Sequence, residues 1–246
     1  MTEALPAQVE ATQVDIGWVL RSTFAIVRKR AAALVILAAV FDFLPQSLTA
    51  FLPESLSRLD MAANLPGLIF DGAGALLAYR ELSGGPSLGA NEAMRAAMRR
   101  FGSLWGLGII SGIAVLVGLV LLIVPGIILL VGWMPANAVL MVEDKPAYAS
   151  LQRAWSLTKG ARWRLAALLG LYVAGAVLLV GTAFPFGFLG SMANQEVLAN
   201  RFLDFFWSPL IVSAVSIFGA VGTAAVYAAL RTAKEGGAGD IAEVFS

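Results

Sequence analysis

Two aspartates stand inside long apolar stretches of the chain, Asp42 within Ala31–Leu52 and Asp71 within Met61–Leu82. A charged carboxylate at the centre of a bilayer costs about 2.5–3.5 kcal/mol on insertion scales, so such a residue asks for an explanation. If the two face one another across a helical hairpin they repel, one of them takes a proton, and together they can line a hydrated path for protons or cations. The structural alternative puts Asp42 near an outer interface, because Pro45 ends its helix, and pairs Asp71 with neighbouring backbone or with Asn137. Both readings are open at the level of sequence.

No other residues assemble into a catalytic set. The chain has no His and no Cys, which removes imidazole acid–base chemistry, thiol nucleophiles, disulfides and most metal sites. The Gly-x-Gly-Asp motif of intramembrane aspartyl proteases is missing at both aspartates. Asp71-Gly72-Ala73-Gly74-Ala75 echoes the CDP-alcohol phosphotransferase pattern, yet Leu76 stands where that pattern has Arg, and its later aspartates are absent. Ser111-Gly112 has no His to act as base. The expectation is a protein that is not an enzyme and that carries no cofactor and no metal.

The elements that must position the aspartates follow from composition. Of 246 residues, 59% are hydrophobic and 13% charged, against roughly 45–50% and 25% in soluble domains. Lipid is the solvent that suits such a chain. Six stretches approach the roughly 20 residues needed to cross the hydrocarbon core: Ala31–Leu52, Met61–Leu82, Ser103–Val124, Gly126–Val142, Arg164–Phe188 and Trp207–Leu230. The third and fourth share one uncharged run, which Pro125-Gly126 is expected to fold into a hairpin. The alternative for the first is a stop near Leu44, with Pro45–Asp60 on the membrane surface. Gly102/Gly106 and Gly108/Gly112 have the spacing of close helix contacts. The expected fold class is all-α: a polytopic helical bundle of six transmembrane helices in residues 15–231, after a polar segment 1–14 and before a flexible tail 232–246.

Charge sets the orientation. With six crossings, all of the 17 lysines and arginines except Arg58 and Arg201 fall on one side, so both termini are predicted to be cytoplasmic. The acidic start, with Glu3, Glu10 and Asp15, is unlike the basic beginning of a cleaved signal peptide and suits an uncleaved anchor. A net charge of +1 gives no footprint for nucleic acid.

A similar segment precedes the first, third and fifth stretches: a short amphipathic helix and a basic cluster. Ile16, Leu20, Phe24 and Val27 precede Arg28, Lys29 and Arg30. Met94, Ala97, Met98 and Phe101 alternate with Arg95, Arg99 and Arg100. Tyr148, Leu151 and Trp155 precede Lys159, Arg162 and Arg164. Helices of this kind lie in the membrane interface, and the chain reads as a three-fold internal repeat of interfacial helix plus hairpin. The nine cations are candidate contacts for anionic lipid, or simply the basic loops that any multi-spanning protein carries.

Ile123-Val124-Pro125-Gly126-Ile127, the apolar run ending at Val142-Glu143, and Ala149-Ser150-Leu151-Gln152-Arg153-Ala154-Trp155-Ser156-Leu157-Thr158-Lys159-Gly160-Ala161-Arg162-Trp163 resemble the glycerophosphoryl diester phosphodiesterase membrane-domain family. Its pattern is a proline-glycine hairpin, an acidic residue, and a helix of the type A-L-x-R-S-W-x-L-x-x-G-x-x-W-R. The resemblance runs from about Asp15 to Arg231 and implies a multi-pass protein of the bacterial cell inner membrane. The soluble phosphodiesterase to which some members are fused is not part of this chain, so its activity is not implied.

The functional expectation is a non-enzymatic membrane protein that organises or assists envelope lipids or membrane protein partners. The alternative is a small transporter or channel built on Asp42 and Asp71.

Overall fold

The computed structural model describes residues 15–49, 51, 64–193 and 195–235, and the secondary structure of these residues is helical throughout. In chain order the helices are α1 (Ile16–Lys29), α2 (Ala31–Ala38), α3 (Leu44–Thr49), α4 (Leu65–Leu82), α5 (Ala90–Arg99), α6 (Phe101–Leu121), α7 (Ile123–Trp133), α8 (Ala136–Val142), α9 (Ala147–Thr158), α10 (Arg162–Gly181), α11 (Phe184–Met192), α12 (Glu196–Phe202) and α13 (Ser208–Glu235). Two π-helical turns join neighbours end to end: π1 (Ala39–Phe43) between α2 and α3, and π2 (Leu203–Trp207) between α12 and α13. Residues 1–14, most of 50–63 and residues 236–246 lie outside the described residues, and with them Arg58 and the glycine-rich part of the tail. The tail's first residues, 232–235, continue α13 and are helical.

Five helical stretches are long and apolar enough to cross a membrane: Ala31–Thr49, Phe101–Leu121, Ile123–Val142, Arg162–Met192 and Val197–Glu235. The expected second crossing, α4, is not among them, because Asp71, Arg80 and Glu81 fall within its 18 residues. It is instead a helix largely wrapped by protein. Phe70 and every residue from Gly72 to Ala78 are buried. A helix enclosed by other helices can carry Gly, Ala and Asp where a lipid-facing one would carry Leu and Val. The lipid-facing character sits elsewhere: Val120 is 77% exposed and Leu178 75%, and dozens of such side chains on one molecule are tolerable in hydrocarbon but not in water.

The first crossing does not stop at Leu44. Pro45 occupies the first turn of α3, where its missing N–H costs little, and the π1 turn absorbs the change of register. The hairpin of α6 and α7 turns at Leu122, whose backbone is extended (φ −159°, ψ 129°), three residues before the expected position. Pro125 and Gly126 lie in the first turn of α7. There the missing Cβ matters: one built at Gly126 would stand 2.5 Å from Leu119, and one at Gly118 only 3.0 Å from the Gly126 Cα. Among the expected close-contact glycines, Gly102 and Gly112 have open space where a Cβ would go. Tight approaches are found instead at Gly118–Gly126, along α4, and where Gly132 meets Trp155 and Gly190 meets Ala199.

Helices α4 and α13 run parallel through the centre. A Cβ on Gly74 would meet that of Ala220 at 3.0 Å, and the rings of Tyr79 and Tyr227 lie 5.2 Å apart. At one end of the bundle, Lys29 and Arg30 meet Glu81, Arg100 meets Asp144, and Arg153 meets Glu143 and Glu235. At the other end Phe43 packs edge-on against Phe206, Phe51 against Phe205, and Trp207 donates to Thr182. The helices that precede three of the crossings are present as α1, α5 and α9. Asp15 caps α1 by accepting from the Gly17 N–H at 2.8 Å, and Glu92 accepts from Gly89 at the start of α5.

Their buried faces differ from the expected ones. In α1 the buried residues are Val19, Ser22, Thr23 and Ile26, while Phe24 is exposed apart from an edge contact with Phe218. In α9 they are Ser150, Leu151, Ala154, Leu157 and Thr158, with Tyr148 exposed. In α5 they are Ala93 and Ala97, with Met98 exposed. Small residues let these helices approach the bundle closely, and the larger apolar side chains beside them are left for lipid.

Candidate functional site

Of the nine cations considered for anionic lipid, three are occupied by the protein itself. Arg30 Nε donates to Glu81 at 2.7 Å, and Lys29 pairs with the same carboxylate, whose side chain is 9% exposed. Arg100 pairs with Asp144 and donates to the Asp144 and Lys145 carbonyls. These are structural clamps. Arg28, Arg95, Arg99 and Lys159 are exposed and make no ion pair or hydrogen bond among the described residues. Arg162 lays its guanidinium 3.7 Å from the centre of the Trp155 ring, with its Nε buried and unpartnered. Arg164 is exposed nearby. Lys159, Arg153 and Arg162 all lie close enough to Lys234 to repel it, so this corner carries concentrated positive charge.

Glu143 is the hub of the same end. It accepts from Lys145 at 2.5 Å, Arg153 at 3.0 Å and the Tyr227 hydroxyl at 2.9 Å. Burial alone pushes its carboxyl up, but the hydrogen bonds from Lys145, Arg153 and Tyr227 outweigh that and hold it below the ordinary range. Arg231 in turn donates to Tyr79 at 2.7 Å. Sequence reasoning did not single out Glu81 or Tyr79, and Glu143 entered only as the acidic residue of the family-like pattern. The available signal was an acidic residue at each of two helix ends beside basic neighbours.

Between α1, α6, α7, α10 and α13 lies a half-open cavity of about 780 Å³, walled by side chains such as Phe24, Val115, Trp133, Leu168 and Tyr172. Four hydroxyls belong to that wall, and each is turned back onto a helix carbonyl. Thr23 donates to Val19, Ser111 to Leu107, Thr223 to Ala220 and Tyr172 to Val215. A hydroxyl used in this way offers little to a polar guest, so the cavity presents itself as apolar. A second hollow of about 550 Å³ lies beyond Trp133, which borders both, and is bounded by Tyr148, Gln152 and Trp155. Trp155 therefore has the hollow and the Arg162 guanidinium as neighbours.

Asp42 and Asp71 line neither cavity. Asp42 sits in the π1 turn, 4% exposed, between α4 and α13. Its Oδ1 lies so close to Gly67 that a Cβ there would come within 2.5 Å. Ser216 of α13 lies beside its side chain, and Oδ2 has no partner. Asp71, half-buried one helical turn beyond Gly67, is near enough to feel the Asp42 charge. Asp42 is thus buried between helices, against the turn of α4 that leads to Asp71. Asn137, on α8, makes no hydrogen bond to Asp71. Compared with protein families, curated proteins and solved structures, the chain matches none.

Proposed function

We propose that this chain is a non-enzymatic, six-span protein of the bacterial inner membrane, with both termini in the cytoplasm, that holds an anionic phospholipid between its helices. The tail occupies the cavity of about 780 Å³, and the phosphate lies toward Arg162, Lys159 and Lys234. The observation that carries the reading is the cavity wall itself. Its size suits a small apolar ligand, its hydroxyls are spent on backbone, and a cationic corner stands beside Trp155. Aromatic rings beside a guanidinium suit the level of lipid headgroups.

Counting α4 as the sixth crossing supports the orientation. At its charged end Glu81 is clamped by Lys29 and Arg30, and the exposed Arg80 stands at the same end as those cations. The order α1, α2–α3, α4; α5, α6, α7–α8; α9, α10–α11, α12–α13 accords with three copies of helix plus hairpin. The likeness of residues 123–163 to the glycerophosphoryl diester phosphodiesterase membrane-domain family belongs to the same proposal.

Native mass spectrometry of the gently extracted chain tests it. Gly112 and Gly175 border the cavity, and a Cβ on either meets nothing within 4 Å. Gly112→Leu with Gly175→Leu therefore fills the space. The unaltered protein is expected to retain about one phospholipid per chain and the filled variant to lose most of it. Lys159→Gln with Arg162→Gln is expected to weaken the preference for anionic over zwitterionic lipid. Retention unchanged by filling, or no lipid at all, would overturn the reading.

A further inference from the structure

The least compensated polar group in the membrane-spanning part is the Asp42 carboxylate. It is 4% exposed and has its Oδ2 buried without a donor. The same helix interface buries two more unpartnered hydroxyl oxygens, on Ser47 and Ser213. No cation compensates: segments 31–49, 65–79 and 208–230, which enclose Asp42, contain no Lys or Arg. The titratable groups they bring are Asp71 and Tyr79 on α4 and Tyr227 on α13. Asp204 on the neighbouring π2 turn is exposed. Tyr172 of α10 interacts with Asp71 rather than with Asp42. Gly67 touches Asp42 and Asp71 follows it by one helical turn on the same side of α4, and two neighbouring carboxylates in a medium of low dielectric cannot both stay ionised.

The ligand that relieves this must be very small. Gly67 presses against Oδ1, and neither aspartate borders the two cavities described above, which leaves little room at Oδ1 for an ion with its shell of ligands. We propose that Asp42 and Asp71 form a proton-binding site that holds one exchangeable proton, admitted at the half-buried Asp71 and kept at Asp42. In the transfer the O–H bond of the Asp71 carboxyl breaks as one forms on Asp42. The pair keeps a single negative charge throughout, and nothing is oxidised or reduced. The π1 turn that carries Asp42 fits this role, since π-turns inserted in α-helices concentrate at functional sites. The inference does not depend on lipid in the cavity.

Infrared difference spectroscopy of the full chain in lipid nanodiscs at neutral pH tests it, because exposed Asp and Glu are then ionised. The expected result is a protonated-carboxyl C=O band equivalent to one group per chain, shifted in D2O. Asp42→Asn removes the band, since Asp71 alone loses its like-charged neighbour and ionises. Asp71→Asn leaves it in place. A wild-type protein without the band, or a band untouched by Asp42→Asn, overturns the proposal. So does a band that appears only when sodium is withdrawn, which would make the ligand a metal ion. Should Asp42→Asn fail to fold, Ser216→Ala serves instead: it removes the hydroxyl beside Asp42 and must move the band, and an unmoved band is an overturning result.

Discussion

Tyr227 donates its phenolic proton to Glu143 Oε1 at 2.9 Å, joining α13 to the end of α8 across 84 residues of chain. The tyrosine is completely buried, and its ring packs against Tyr79. Tyr227→Phe keeps the ring and removes only the hydroxyl. Hydrogen bonds to charged groups contribute about 1.5–3 kcal/mol, so a loss of that order is expected in reversible unfolding of the detergent-solubilised protein. A variant as stable as the parent would mean that the bond adds nothing.

Stability should also fall in acid through the same hub. The Glu143 carboxyl is held below its ordinary value of 4.5 in the folded chain. A group with a depressed folded pKa contributes stability that is complete above the unfolded value and disappears as pH drops through the folded one. The thermal midpoint of the parent is therefore expected to decline below about pH 4.5, more steeply than that of Glu143→Gln. The variant starts lower at neutral pH because Lys145 and Arg153 lose a charged partner. Parallel profiles for the two proteins would remove Glu143 as the cause.

How far these features can be read from the chain differs by feature. The apolar crossings are legible because a run of about 20 such residues has one stable solution in lipid. The turn at Leu122 is less so: Pro125 is acceptable either in the turn or in the first helical turn after it, and the choice is made by Gly126 meeting Gly118. The buried faces of α1 and α9 are hidden for a related reason. Packing on protein and packing on lipid draw on the same apolar residues, so composition does not say which side is which. Asp42 and Asp71 announce themselves as charges in apolar runs. Gly67, Ser216 and Tyr172, which complete their surroundings, do not, being ordinary constituents of packed membrane helices. The clamps at Glu81 and Glu143 join residues far apart in sequence and need the tertiary fold to bring them together.

Glycine substitutions separate the two kinds of contact. Gly126→Ala drives a Cβ to 2.8 Å from the Leu119 nitrogen, a backbone atom that cannot swing aside. Overpacking of this kind costs about 1–3 kcal/mol. Gly112→Ala points into open space, and replacing Gly within a helix gains up to about 1 kcal/mol. The first variant is expected to unfold more readily than the parent and the second no more readily. Equal behaviour of the two would contradict the close approach of α6 and α7.

A chain without cysteine is its own background for mapping which ends share a compartment. Cysteine placed singly at exposed Arg95 or Gly160 belongs to the end where Lys29, Arg30 and Arg100 are clamped. Cysteine at exposed Ser191 or Arg201 belongs to the end marked by the Phe43–Phe206 and Phe186–Trp207 contacts. In intact bacterial spheroplasts a membrane-impermeant maleimide is expected to label the second pair, and to reach the first only after lysis. Labelling of Gly160→Cys from outside would reverse the proposed orientation. A cysteine at exposed Arg28, before α4, that labels from the opposite side to one at Arg95, after it, would mean that α4 does not cross the membrane, since removing one crossing exchanges the compartments of every segment after it.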